Sequence, residues 1–180
     1  MVNWIKLKEE NLEMVREWRM RPDITRGMYT DPVITPEDQQ NGFKRVNQDA
    51  TQMYWVVYEN DRPIGLASII NINRRFKSCE SGVYLAEKHE LNTVMQNTAL
   101  FLHVAFNILD LNRIESRIMS NNKKVVRYHE LQGWVTEGVL RQAILKNGEF
   151  YDLYIQSIIK DDWESGRVRI PKLKEGSVEI

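Results

Sequence analysis

The sequence predicts a mixed α/β (α+β) fold, a mixed sheet with helices packed on it. Three observations carry this. The apolar patterns run β, α, α, β-β-β, α, β, α, β-β, with helices following strands in the centre and hairpins at the ends. Residues 83–132 contain neither Pro nor Gly, which suits long uninterrupted elements. Asn147-Gly148 separates two apolar runs, the strongest short hairpin signal.

Each element has its own warrant. Trp4-Ile5-Lys6-Leu7 is a short first strand. Leu12, Val15, Trp18 and Arg19 stand at helical spacing within Glu9 to Met20, and Pro22 closes that helix. Thr35-Pro36-Glu37-Asp38 places Thr at an N-cap and Pro at the first helical position, starting a helix that runs to about Val46. Met53 to Tyr58 is a strand. Asn60-Asp61-Arg62-Pro63 turns it into a second, Ile64 to Ile72, and Cys79 to Ala86 is a third. Thr93-x-x-Gln96 reads as a capping box for a largely buried helix to about Leu109. Ile114 to Met119 alternates as a strand. Asn121 or Asn122 starts a short helix that ends at Gly133, a left-handed stop. Val135 to Leu145 and Phe150 to Ile159 form the last hairpin.

The chain has 180 residues, with Lys+Arg and Asp+Glu balanced at 25 each. This length suits one domain, 1–163, followed by a charged extension, 164–180, that lacks periodicity. Balanced charge gives no electrostatic footprint for nucleic acid. No apolar run reaches membrane-span length, and MVNWIKLKEEN lacks a signal peptide's apolar stretch. With Cys79 as the single cysteine, a cytoplasmic location is expected. Cys79 reads as a half-buried strand residue, because no activating partner lies near it in sequence. His89 and His103 share no metal-ligand spacing, so no metal site is expected.

The stretch GVYLAEKHELNTVMQ, Gly82 to Gln96, is a strand-to-helix turn of the kind that often holds a phosphate. It has no glycine after Gly82, although glycine serves such turns by reaching positive φ. Asn92 is the best non-glycine substitute for a left-handed residue. Read from these residues alone, the stretch fits a plain structural turn better than an anion site.

Several pieces in order resemble the GNAT (Gcn5-related) acyltransferases. They are Glu17-Trp18-Arg19-Met20-Arg21-Pro22-Asp23-Ile24 with Met28-Tyr29, Tyr54-Trp55-Val56-Val57 and Pro63-Ile64-Gly65-Leu66-Ala67-Ser68. Leu111-Asn112-Arg113-Ile114, Glu137-Gly138-Val139-Leu140-Arg141 and Lys146-Asn147-Gly148-Glu149-Phe150-Tyr151-Asp152 follow. The resemblance covers about residues 4–163 and is greatest to the nucleotide-sugar N-acetyltransferases of pseudaminic acid biosynthesis. Polyamine and ribosomal-protein acetyltransferases share the C-terminal pieces.

The resemblance implies a mixed sheet of about seven strands, splayed between the fourth and fifth, with helices on both faces. It implies acetyl-CoA in the splay as co-substrate and an N-acetyltransfer to a small-molecule amine. No nucleic acid or membrane partner is implied, and a homodimer is compatible with it. Tyr84, Leu85, Ala86, Asn92, Thr93, Val94, Met95, Gln96 and Asn122 would hold the cofactor, although both glycines of the family's pyrophosphate loop are missing. Trp18, Arg19, Met28, Tyr29 and Tyr54 would line the acceptor side; Trp18 also reads as plain core.

His129 falls where the family carries the tyrosine that protonates the departing thiolate, while Tyr128 lies one residue too early. An imidazole suits that transfer, and an exposed or passive helix residue is the other reading. Glu80 matches a carboxylate that would accept the amine's proton; alternatively it pairs with Arg74 or Lys77. The missing glycines and tyrosine leave a second function open, a GNAT-fold binding or scaffold protein that has lost cofactor use. An acetyltransferase for a polyamine or protein N-terminus is a third.

Overall fold

β-Branched and aromatic runs form the strands, and the order in which they pair decides where a gap opens. The computed structural model describes residues 1–170, 178 and 179. Its strands are β1 (Val2–Lys6), β2 (Met53–Glu59), β3 (Arg62–Asn73), β4 (Ser78–Leu85), β5 (Arg113–Met119), β6 (Val135–Lys146) and β7 (Glu149–Ile159). They make one seven-stranded sheet in the order β1-β2-β3-β4-β5-β7-β6. Every neighbouring pair is antiparallel except β4 with β5.

The helices are α1 (Leu12–Met20), α2 (Pro22–Thr25), α3 (Pro36–Gln48), α4 (Leu91–Leu102), α5 (Lys123–Gln132) and α6 (Lys160–Glu164). They cover both faces. On one, Leu100, Phe101 and Leu102 of α4 share a core with Trp4, Trp55, Val57, Ile64 and Ile69. The Trp4 ring meets Phe101 edge-on at 4.6 Å, and its indole N–H donates to Asn97 Oδ1 at 2.7 Å. On the other face, Val15 and Trp18 of α1 pack on Val56, Leu66 and Ala86.

Several ends form as the sequence predicts. The Thr35 hydroxyl accepts from Asp38 N–H at 3.1 Å and Pro36 opens α3. Asn147 and Gly148 have φ of 50° and 81°, the left-handed pair that a tight hairpin requires. Gly133, at φ 102°, ends α5.

Other ends differ. Pro22 does stop α1, but its fixed φ then starts the single turn of α2. Helix α4 starts three residues earlier than predicted, with its N-cap at Glu90 and not at Thr93, and continues as a π-helical turn over His103–Ile108. Thr93 is therefore no N-cap. It lies inside the first turn, buried, and its hydroxyl donates to the carboxylate of Glu59. Gln96 completes no capping box either, because its Oε1 accepts from Val2 N–H at 3.2 Å.

After α6 the chain stays on the domain. Val168 is buried in the larger core, and Arg169 N–H donates to Gln132 O at 3.0 Å. Val178 bridges Trp4 in parallel, and Trp55 Nε1 donates to Glu179 O at 2.9 Å. The rest of the predicted extension, 171–177 and 180, lies outside the described residues.

Candidate active site

The parallel pair β4–β5 registers over only three positions, Ser78 with Arg113, Cys79 with Ile114 and Glu80 with Glu115. Both strands continue beyond it, β4 to Leu85 and β5 to Met119. The sheet therefore splits after Glu80 and widens toward the C-terminal ends of the two strands. Ser81 Oγ, reaching Glu115 O at 3.3 Å, marks the apex.

This geometry leaves backbone groups unpaired. Ala86 N–H donates to Ile64 O on the β3 side at 2.7 Å. Strand residues alternate the side to which their N–H and C=O point, so Val83 and Leu85 turn theirs to the gap. An extended polar chain can hydrogen-bond there as a strand would.

The turn at the gap's edge answers the question of the missing glycines. No residue from Tyr84 to Leu109 has positive φ. Asn92, expected as the left-handed substitute, is an exposed residue within α4. The turn is made instead over Ala86 to Glu90, with both Ala86 and Glu87 N–H donating to Ile64 O. Glycine's conformational freedom is not needed on that path.

The first-turn amides of a helix lack intrahelical partners. Here Glu90 N–H meets Glu59 Oε1 at 3.4 Å, and Thr93 N–H folds back to Glu90 O at 3.1 Å. Glu59 supplies the negative charge that a helix N-terminus favours. Thr93, Glu90 N–H and Arg62 in turn hold that carboxyl below its usual pKa. Asn92 N–H lies in the first turn of α4, where a helix leaves its amides without intrahelical acceptors. Val94, Met95 and Gln96 are half-buried behind it.

On the α1 face of β4, Arg19, Tyr54 and Tyr84 come together. Two of their polar atoms, Arg19 Nε and Tyr84 Oη, are buried without a hydrogen-bond partner among the described residues. Burial drives the Tyr84 phenol well above its usual pKa, opposed by the nearby Arg19 charge. Trp18 is both core and contact. It is buried, yet its indole N–H donates to Glu87 Oε1 at 3.0 Å.

A second group lies by the apex. Glu80 is bound by Asn71 Nδ2 at 2.8 Å and lies 3.6 Å from Arg117 Nε, so its cationic neighbour is neither Arg74 nor Lys77. Lys77 pairs with Asp110 at 2.7 Å instead. Tyr29 stands in the electrostatic reach of Glu80, Glu115 and Arg117. Glu115 pairs with Arg117 at 2.8 Å and with Arg113 at 3.0 Å, and Arg113 also grips Glu137 at 2.6 Å. That grip and Ser157 Oγ pull the Glu137 carboxyl down to about 2.

The ladder Arg113, Glu115, Arg117 was missed in the sequence. Its signal was there, because charges at alternate positions of a strand share one face. Asn71 gave none, since strand pairing alone brings it to Glu80.

His129 is a different environment from the one its alignment implies. Its ring stacks on Trp134 at a centroid distance of 4.4 Å. Gln156, fully buried on β7, donates its amide to Val126 O at 3.2 Å and Thr136 Oγ1 at 2.9 Å. Its Oε1 therefore faces His129 Nδ1, at 3.1 Å, and the imidazole carries its proton on Nδ1. Burial lowers the pKa to about 4, and the Gln156 contact restores only part. The expectation of a protonated imidazole ready to donate is corrected here, because at neutral pH the ring is neutral and Nε2 is an acceptor. Tyr128 and Trp134 each hold a buried polar atom without a partner. Asn122 makes no side-chain cap and lies against Gly27 instead. Cys79 is buried more fully than half, and burial pushes its thiol up to about 12, which leaves it unreactive.

Among the described residues, no group of three or more His, Cys, Asp or Glu could hold a metal, and no helix is long and apolar enough to cross a membrane. A family model described as the GNAT acetyltransferase domain matches residues 5–135. The chain is 26% identical to acetyltransferase PseH of Campylobacter jejuni over 129 residues, 71% of this chain and 79% of the relative. It is 28% identical to spermidine N(1)-acetyltransferase of Vibrio cholerae over 161 residues, 87% of this chain and 92% of the relative. The fold superposes on the crystal structure of spermidine N-acetyltransferase from Vibrio cholerae in complex with CoA and spermine. The TM-score is 0.86 at 22% identity, covering 91% of this chain and 98% of the other.

Proposed function

Since the chain belongs to the GNAT acetyltransferase family and is an N-acetyltransferase that takes its acetyl group from acetyl-CoA, we propose that its acceptor is an amino sugar carried by a nucleotide. The observation that carries this reading is the charge state of the acceptor side. A polyamine needs unpaired carboxylates. Here Glu80, Glu115 and Glu137 are all matched by Arg113 or Arg117, and Glu87 by Arg21 at 2.8 Å. Arg19 makes no ion pair among the described residues, and its Nε is buried without an acceptor. A guanidinium held this way suits a phosphate or sugar oxygen, and Met28, Tyr29 and Tyr54 give the aromatic and apolar surface that a base or sugar ring needs, with Trp18 packed in the core behind them. The similarity to PseH supports the same reading, and the similarity to spermidine acetyltransferases supports the competing one.

In this reading the pantetheine arm lies in the gap against Val83 and Leu85. The neutral acceptor amine attacks the thioester carbon, the C–S bond breaks, and the amine's proton passes to Glu80 directly or through water. CoA thiolate leaves and is protonated by a group other than His129. Asn92 N–H and the end of α4 meet the pyrophosphate.

The acceptor is tested by a panel scored for free CoA thiol. UDP-linked 4-amino sugars should turn over, with spermidine about four orders of magnitude poorer in kcat/KM, the scale on which a site with buried polar groups rejects a ligand that leaves them unpaired. Turnover of spermidine with none of the UDP-4-amino sugars would replace the proposal with the polyamine reading.

A further inference from the structure

Lys146, the last residue of β6, is a buried lysine, its side chain only 8% exposed. An ammonium group has three N–H donors, and burial is tolerable only when all are used. Here each has an acceptor. Thr25 O lies at 2.7 Å, Met28 O at 3.0 Å and Asp31 Oδ1 at 2.8 Å. All three acceptors belong to the segment that follows α1.

That segment spans the gap. Its near end is held to the β1–β4 half of the sheet, where Glu87 accepts from Trp18 Nε1 and from Arg21 at 2.8 Å. Its far end is held to the β5–β7 half. Asn121, just past β5, donates to Arg26 O at 2.8 Å, and Asn147, in the β6–β7 turn, donates to Asp31 Oδ2 at 2.9 Å. Gly27 passes so close to Asn122 that an added Cβ would come within 3.1 Å of its Nδ2. Between the anchors lies Tyr29, beside Glu80, Glu115 and Arg117. The two half-sheets share only three registered positions at the apex and a common core under α4, and this strap is a further connection between them, at the open end.

We propose that Lys146 is a positioning residue that pegs the segment 21–31 across the mouth of the gap and so fixes the acceptor site relative to the thioester. The acceptor half of this statement rests on the assignment of that side to the amine; the strap itself does not. Lys146 acts through the backbone of Thr25 and Met28 and touches neither substrate. The carboxylate end of the peg stays charged across the neutral range. Lys146, Thr25 and Asn147 hold the Asp31 carboxyl down to about 2. A carboxylate with a depressed pKa keeps its contribution above its unfolded value and loses it only as pH falls through the folded one.

The test compares the whole chain with Lys146→Met, which keeps the stem and removes the donors, and Asp31→Asn, a milder change at an exposed residue that keeps an oxygen to accept from Lys146. Amide hydrogen exchange is read with the protein alone. In Lys146→Met, exchange of residues 25–31 should speed by about tenfold or more, the factor that one lost charge-assisted hydrogen bond represents. Protection in β5 and α5 should stay. Asp31→Asn should give a smaller change in the same residues. Lys146→Arg should not restore protection, because a planar fork cannot meet three converging acceptors. With the amine found by the panel, KM for the acceptor should rise about tenfold or more while the Kd for acetyl-CoA stays within about twofold. Unchanged exchange at 25–31 in both variants would overturn the peg, and so would loss of protection spread over the whole domain. A failed sugar panel with altered exchange at 25–31 would count against the acceptor and leave the strap standing.

Discussion

Gly65→Ala should lower stability by about 3 kcal/mol or more, the upper end for one added methyl in a packed site. Gly65 is buried in β3, opposite Leu85 of β4. A Cβ built there lies 2.2 Å from Tyr84 O and 2.9 Å from Leu85 Cα. Both are backbone atoms, so no side-chain rotation relieves the clash, and β4 must move where it borders the cofactor gap. A chain of this size loses roughly 2–4 °C in Tm per kcal/mol, so the melting point should fall by roughly 6–12 °C. Gly42→Ala is the control. Nothing lies within 4 Å of its added Cβ, and alanine in a helix is favoured over glycine by roughly 0.5–1 kcal/mol. A Gly65→Ala protein as stable as the parent would contradict the pairing of β3 with β4.

The second large effect belongs to His129. Its folded pKa of about 4 lies below the ordinary imidazole value. The unfolded chain then binds a proton over a range in which the fold refuses it. The linkage sign follows: this contribution is fully present above the unfolded value near 6.5, and shrinks as pH falls toward 4. Going from pH 7 to pH 4 should cost about 3 kcal/mol from this residue alone. Denaturant midpoints at several pH values, for the parent and for His129→Gln, will show it. The variant should lose most of that slope between pH 6.5 and 4. The same neutrality bears on catalysis. The pH–rate profile should show no limb belonging to His129 near 6.5. An alkaline limb at that pH which disappears in His129→Gln would restore the imidazole as proton donor.

Most of the fold was legible because each signal was local. Thr35 and Asp38 sit three residues apart, Asn147-Gly148 needs only its own two dihedrals, and Gly133 needs only its own. The misread helix start has its cause far along the chain. Thr93 and Gln96 have the spacing of a capping box, yet Glu59 and Val2 claim them across the sheet. Pro22 ends α1 as its ring requires, and its fixed φ also starts the single turn of α2, which has no apolar period of its own. The site was legible in part. Of the residues expected on the acceptor side, Arg19 and Tyr54 lie together, with Tyr84, expected at the cofactor, beside them, while Asn71 and Arg117 reach Glu80 only through strand register. His129 shows the limit of alignment. A position can match while its environment, here Gln156 and Trp134, gives the residue another protonation state. Lys146 carried no signal at all, since a lysine before Asn-Gly reads as solvent-facing.

The short β4–β5 seam also bears on how the molecule comes apart. Cooperative units in a domain tend to follow contiguous structural blocks, and each opens at its own free energy. The seam, with three registered positions against seven between β5 and β7, divides the sheet unequally. The β5–α5–β6–β7 block is contiguous in sequence from Arg113 to Ile159 and is built from near-neighbour pairings. It is expected to open and reclose as one foldon while β1 to β4 and α4 stay folded. A ligand lying along both lips of the seam would tie the two foldons together. Acetyl-CoA then adds cooperativity to unfolding as well as stability, and the sub-global opening seen by native-state hydrogen exchange should merge with the global one when the cofactor is bound.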